Sequence, residues 1–119
     1  MKKYDAVAAL TALAQESRLD AFRLLVQAGP EGLPAGQVAE ALDVSPNTLT
    51  FHFDRLREAG LVTVRRNGRS MIYSARFETM HALLGYLAEN CCQGGVEYCE
   101  PAQCKPRQKT AARLRERAS

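Results

Sequence analysis

Apolar residues recur at helical spacing through the first half of the chain, and then the period changes. Residues 5–15 put Val7, Leu10 and Leu13 on one stripe, which predicts a first helix. A second follows, with Ser17 as its expected N-cap, Leu19, Phe22, Leu25 and Val26 as its apolar face, and Gly29-Pro30 as its stop. The stretch LPAGQVAEALDV reads as a short third helix opened by Pro34, with Val38, Ala41 and Leu42 facing inward. In VSPNTLTFHFDRLREAG, Ser45 suits an N-cap, Pro46 the first helical position and Gly60 the residue just past the end, so a longer fourth helix is expected. After Gly60, LVTVRRNGRSMIYSA reads as strand, tight turn and strand, with Asn67-Gly68 as the two-residue turn. Helical spacing returns in RFETMHALLGYLAENCC, where Phe77, Met80, Leu83, Leu84 and Leu87 share a side before Gly94-Gly95. The predicted order is four helices, a hairpin, a helix and a tail.

Helix three, a turn at Asp43 to Ser45 and helix four together make a helix-turn-helix. Leu49, Phe53 and Leu56 lie at i, i+4 and i+7 and face the core, which leaves Asn47, Thr48, Phe51 and Arg55 on the opposite side and Thr50 and His52 on the flanks. Asn and Arg side chains make bidentate contacts to base edges, and Thr and Phe can meet a thymine methyl. A merely solvated helix face is a poor place for Phe51. His52 is read as a neutral donor to phosphate in preference to a partly buried packing residue, so Thr50 and His52 join Asn47, Thr48, Phe51 and Arg55 in the expected DNA-binding set. Arg65, Arg66 and Arg69 cluster at the hairpin tip, as in a wing that meets phosphates or a narrow minor groove; protection of a sheet edge by charge would use the same residues.

Charge supports the nucleic-acid reading only locally. The chain of 119 residues carries a formal +3, but residues from Lys105 onward hold six basic side chains against Glu116 alone. The remainder is mildly acidic, apart from a basic patch formed by Arg55, Arg57, Arg65, Arg66, Arg69 and Arg76. The length suits one domain with a real core, and no run approaches the roughly 18 apolar residues needed to cross a bilayer. No signal-peptide pattern follows the first lysines, so a cytoplasmic location without membrane attachment is expected.

SPNTLTFHFDRLREAGLVTVRRNGRSMIYS resembles the winged helix-turn-helix of the ArsR family of bacterial metal- and metalloid-responsive repressors, and the similarity extends over residues 5–90. The resemblance implies a mainly α, dimeric winged helix-turn-helix with a β-hairpin wing. It implies a homodimer built from the first and last helices, and double-stranded operator DNA with an inverted repeat as partner. The stripes Val7/Leu10/Leu13 and Met80/Leu83/Leu84/Leu87 are the surfaces available for that dimer. The expected organisation is a DNA-binding and dimerisation domain over 1–90, a cysteine-rich inducer segment over 91–104 and a basic tail over 105–119.

All four cysteines, Cys91, Cys92, Cys99 and Cys104, fall in that short segment. The family's usual thiolate pair in the helix before the recognition helix is missing here, and the usual zinc site on the last helix is reduced to His81. If the helix persists, Cys91 continues the stripe of Leu87. Adjacent thiols do not readily form a relaxed disulfide, yet both can reach one soft atom. Three sulfurs without a nearby histidine suit As(III) or Sb(III) better than tetrahedral zinc. The resemblance to arsenical repressors with a displaced C-terminal site, together with the double glycine, selects Cys91, Cys92 and Cys99 as metal ligands, with Cys104 as a replacement or fourth ligand. The expected function is an arsenite- or antimonite-responsive repressor; a zinc-, cadmium- or lead-responsive or a thiol-redox-responsive repressor of the same fold is the alternative. An enzyme is not expected, since no phosphate-cradling loop and no histidine near the cysteines accompanies the thiols.

Overall fold

The computed structural model describes residues 1–91. Within them the chain forms α1 (Lys3–Leu13), α2 (Glu16–Ala28), β1 (Leu33–Pro34), α3 (Ala35–Leu42), α4 (Pro46–Glu58), β2 (Val62–Asn67), β3 (Ser70–Ala75) and α5 (Phe77–Ala88). The five helices and the hairpin are those the periodicity predicts. Added to them is β1, two residues too short to show any period. It pairs antiparallel with β3 (Leu33 with Tyr73, Pro34 with Ile72), so β3 is the central strand of a three-stranded sheet ordered β1-β3-β2. Pro34, which cannot donate to a ladder, lies on an edge strand as it must.

The core is assembled from α2, α3, α4 and the sheet. Phe53, Leu25, Leu49, Leu56, Leu61, Val38 and Val62 are its largest fully buried side chains. The Phe53 ring stacks on Tyr73 with centroids 4.1 Å apart and planes 22° from parallel, which fastens α4 to the central strand. At the base of the hairpin, the Arg76 N–H donates to the Leu61 carbonyl at 2.8 Å, setting the point where the chain leaves the sheet for α5.

Gly32 admits no other residue. Its φ is +75°, and a Cβ built there would collide with the Tyr73 carbonyl oxygen of the central strand.

Several local expectations are corrected. Helix α2 is capped by Gln15, whose side-chain oxygen accepts the Arg18 N–H at 2.9 Å, so Ser17 lies inside the first turn rather than at the cap. Its buried face is Ala21, Phe22 and Leu25, with Val26 half-buried beside it, and Leu19 is 44% exposed. In α3 it is Val38 and Ala39 that are buried, and Ala41 is exposed.

The hairpin loop is Gly68-Arg69, since Asn67 pairs with Ser70 as the last rung of the ladder. Gly68 has φ +66° while Arg69 is not left-handed, the pattern of a type II′ turn with glycine first. The dipeptide Asn67-Gly68 is therefore one residue out of register. Helix α1 buries Ala6, Ala9 and Ala12 and leaves Val7 and Leu10 in solvent. In α5 the expected stripe is divided, with Leu83 buried in the chain's own core and Leu84 and Leu87 exposed.

Helix α5 also ends earlier than Cys91 requires. Ala88 is its last residue, Glu89 is extended, and Asn90 is left-handed with φ +60°. Cys91 is half-buried beyond this break and does not continue the Leu87 stripe. Cys92, Cys99 and Cys104, with Gly94-Gly95 and the basic tail, lie outside the described residues. No helix of the described residues is long and apolar enough to cross a membrane.

Candidate nucleic-acid interface

Helix α4 begins where the sequence places it. Ser45 Oγ accepts the Thr48 N–H at 3.2 Å and its hydroxyl pairs with Thr48 Oγ1 at 2.9 Å, with Pro46 in the first turn. The preceding turn is made by Asp43 in the left-handed region at φ 57°, and the Val44 N–H returns to the Ala39 carbonyl at 3.1 Å. This short reversal sets α4 across α3.

Leu49, Phe53 and Leu56 are buried as expected, so Asn47, Phe51 and Arg55 form an outward ridge at i, i+4 and i+8, with Thr48 beside it. Phe51 is 53% exposed despite its size. The Arg55 guanidinium carbon lies 5.0 Å from the Phe51 ring centroid, and its Nη1 is 3.2 Å from Glu58 Oε1. Stacking and the ion pair hold the planar Arg55 fork along the outer face of the helix and restrict its rotamers. Thr50 is exposed, but its hydroxyl donates back to the Pro46 carbonyl at 2.9 Å.

His52 is separated from this ridge. It is only 8% exposed, and its Nδ1 is buried with no hydrogen-bond partner among the described residues. Burial, and secondarily the charge of Arg18, holds its pKa below the ordinary imidazole value. The structure therefore favours the packing role over phosphate contact: the single step from Phe51, about 100° round α4, carries this position off the exposed face and toward Arg18 of α2.

The wing arginines are all exposed but are held differently. Arg65 donates from Nη2 to the Glu31 carbonyl at 3.1 Å, tying the wing to the loop before β1. Arg66 Nε donates to the Gly68 carbonyl at 3.3 Å, stiffening the turn. Arg69 sits in the loop itself.

Arg18 is the residue that sequence reasoning missed. It lies in the first turn of α2, and with Arg55 and Glu58 it lines an open pocket of ≈330 Å³ between α1, α2 and α4. The available signal was electrostatic, since a cation in a helix's first turn opposes the helix dipole. Cys91 is the one thiol among the described residues, and among them no three His, Cys, Asp or Glu side chains come together to hold a metal ion.

Residues 13–65 match a helix-turn-helix domain model. The chain is 40% identical over 77 residues to the uncharacterized HTH-type transcriptional regulator YceK of Bacillus subtilis, covering 64% of this chain and 76% of that one. Over 63 residues it is 41% identical to a protein of Halobacterium salinarum provisionally named an arsenical resistance operon repressor, ArsR, covering 53% and 48% of the two chains. The chain belongs to the helix-turn-helix transcriptional regulators.

Solved structures agree with that assignment. HlyU from Vibrio cholerae, named a transcriptional activator, superposes on this chain with a TM-score of 0.59 at 32% identity, covering 73% of this chain and 97% of its own. The homodimeric winged helix-turn-helix DNA-binding domain Mb0332 of Mycobacterium bovis gives 0.59 at 25% identity, covering 72% and 80%. These relatives are regulators and not enzymes.

Proposed function

We propose that this helix-turn-helix regulator is a member of the ArsR family, a dimeric repressor that binds an inverted-repeat operator and is released when As(III) or Sb(III) binds Cys91, Cys92 and Cys99. The observation that carries the reading is one of placement. The chain's four thiols begin three residues beyond α5, and the family's usual thiolate position in α3 holds none. The provisional arsenical name of the Halobacterium relative supports it. So does the homodimeric state of Mb0332, taken with Val7, Leu10, Leu84 and Leu87 exposed on α1 and α5.

In this mechanism the dimer inserts α4 into successive major grooves. Asn47, Thr48, Phe51 and Arg55 read bases, Thr50 packs alongside, and Arg65, Arg66 and Arg69 of the wing meet the backbone or minor groove. A soft trivalent ion draws three thiolates together beside the end of α5. The resulting tension on a dimer helix alters the spacing of the two α4 helices. Coupling of about 1–3 kcal/mol weakens operator binding roughly 5- to 150-fold. Residues 1–90 serve as the DNA-binding and dimerisation unit, 91–104 as the inducer segment and 105–119 as a basic tail. The protein acts in the cytoplasm, where such thiols stay reduced.

The test starts from a duplex selected from a random-sequence library by the purified protein. Arsenite added under reducing conditions is expected to release this duplex at near-stoichiometric ratio. The Cys91→Ser, Cys92→Ser, Cys99→Ser triple variant should bind the duplex and ignore arsenite. Release of the triple variant by arsenite would refute the site. Release by zinc, cadmium or lead but not arsenite, or by peroxide alone, would move the inducer to the corresponding alternative.

A further inference from the structure

Arg18 is half-buried, and among the described residues its charge has no partner. Its Nε is buried without an acceptor, and among the described residues no ion pair or hydrogen bond reaches the side chain. Only its backbone N–H is engaged, on Gln15. Beside it, His52 is also buried with Nδ1 unpartnered, and it contributes no compensating negative charge. Arg18 shares its pocket with Arg55 and Glu58, and Glu58 is already paired with Arg55 at 3.2 Å. The pocket therefore has one positive charge in excess and unused N–H donors.

A partly desolvated guanidinium of this kind is completed by an oxyanion, which can take two parallel N–H donors. The position of the pocket favours one source of that anion. Arg55 belongs to both structures: it lines the pocket and lies over Phe51 on the outward ridge of α4. An anion held by Arg18 is thus at the margin of the face that enters the groove, where the DNA backbone runs. A cation placed against the dipole in the first turn of α2 has little use for the fold, whereas a phosphodiester would neutralise it.

We infer that Arg18, with Arg55 beside it, forms an oxyanion subsite at the α2–α4 junction that takes a backbone phosphate of the bound duplex. Arg18 carries no sequence information there; it sets the depth and register at which α4 docks. The inference rests on the DNA-reading role of α4 proposed above.

The experiment measures binding of the full chain to the selected duplex, and to a scrambled duplex, across a sodium chloride series. Arg18→Gln is expected to weaken both duplexes by the same factor and to lower the salt slope by about 0.9 per protomer, the value for one lost phosphate contact. Arg18→Lys, which keeps a point charge, should retain most of the slope and keeps the test valid if the Gln variant folds poorly. An unchanged slope in both Arg18→Gln and a second neutral variant, Arg18→Met, overturns the inference while leaving the α4 reading intact. Failure of the unaltered protein to bind any selected duplex would instead remove the underlying reading. Two further outcomes overturn the proposal. One is a shift of the monomer–dimer equilibrium in Arg18→Gln with an unchanged slope, which would assign the guanidinium to a partner's carboxylate. The other is stabilisation of the DNA-free protein by inorganic phosphate at constant ionic strength, lost in Arg18→Gln while the slope is unchanged, which would assign the subsite to a free anion.

Discussion

Helices α1 and α4 arrange their apolar residues in opposite senses. In α4 the large apolar side chains Leu49, Phe53 and Leu56 point into the chain's own core, and the outward ridge is polar apart from Phe51. In α1 the fully buried residues are alanines, Ala6, Ala9 and Ala12, with Leu13 half-buried at the helix end, while Val7 and Leu10 face solvent at 55% and 43% exposure. A helix packed by alanine approaches its neighbour closely and contributes little apolar area of its own. Its larger residues remain available for a second surface. The contrast teaches that an apolar stripe identifies a contact face without saying whether the contact lies within the chain.

The strongest way to break the comparison is at Phe53. Phe53→Ala removes the ring stacked on Tyr73 and should cost about 3–5 kcal/mol, enough to unfold much of the population in a denaturant titration. Phe51→Ala, two positions away on the same helix, should change stability by less than about 1 kcal/mol and instead weaken operator binding. Equal losses of stability at the two sites would show that the ridge is not an outward face.

Gly32→Ala tests the sheet against which α4 is packed. A left-handed backbone and a collision with the Tyr73 carbonyl together predict a loss of about 2–4 kcal/mol, read as a lowered denaturation midpoint.

On α1, Val7→Asp should leave the monomer's own stability within about 0.5 kcal/mol, since the side chain lies in solvent. The same substitution should convert dimer to monomer in sedimentation and abolish high-affinity operator binding. A Val7→Asp protein that stays dimeric would place the dimer surface elsewhere.

The smallest expected effect concerns His52. Its folded-state pKa is depressed by burial and then by Arg18, so the folded chain resists a proton that the unfolded chain accepts near the usual ~6.5. The neutral-form stability is complete above that value and is lost as pH falls through it toward the folded pKa. Stability should therefore decline on acidification below the ordinary imidazole value of about 6.5, and His52→Gln should flatten that decline relative to the unaltered protein.

Much of this architecture was legible in the residues themselves. Ser45-Pro46 opens α4 and the spacing of Leu49, Phe53 and Leu56 orients it, because capping and helical period are local properties. The outward set Asn47, Thr48, Phe51 and Arg55 follows from the same period. Other features were not legible for equally physical reasons. The loop Gly68-Arg69 depends on which residues pair across the hairpin, and both Asn67-Gly68 and Gly68-Arg69 satisfy the local chemistry. Gln15 replaces Ser17 as the cap of α2 because long side chains also reach the first-turn N–H, which residue preferences underweight.

Local chemistry alone determined the helix-turn-helix, the wing and the polar ridge of α4, since each depends on residues within a few positions of one another. Only the tertiary structure decided that His52 is inside and that Arg18 has no partner among the described residues, that α1 buries its alanines, and that β1 completes the sheet. It also decided that α5 stops before Cys91, at the left-handed Asn90. Those outcomes depend on which surfaces meet across long sequence separations, and burial, desolvation and charge pairing exist only once they have met.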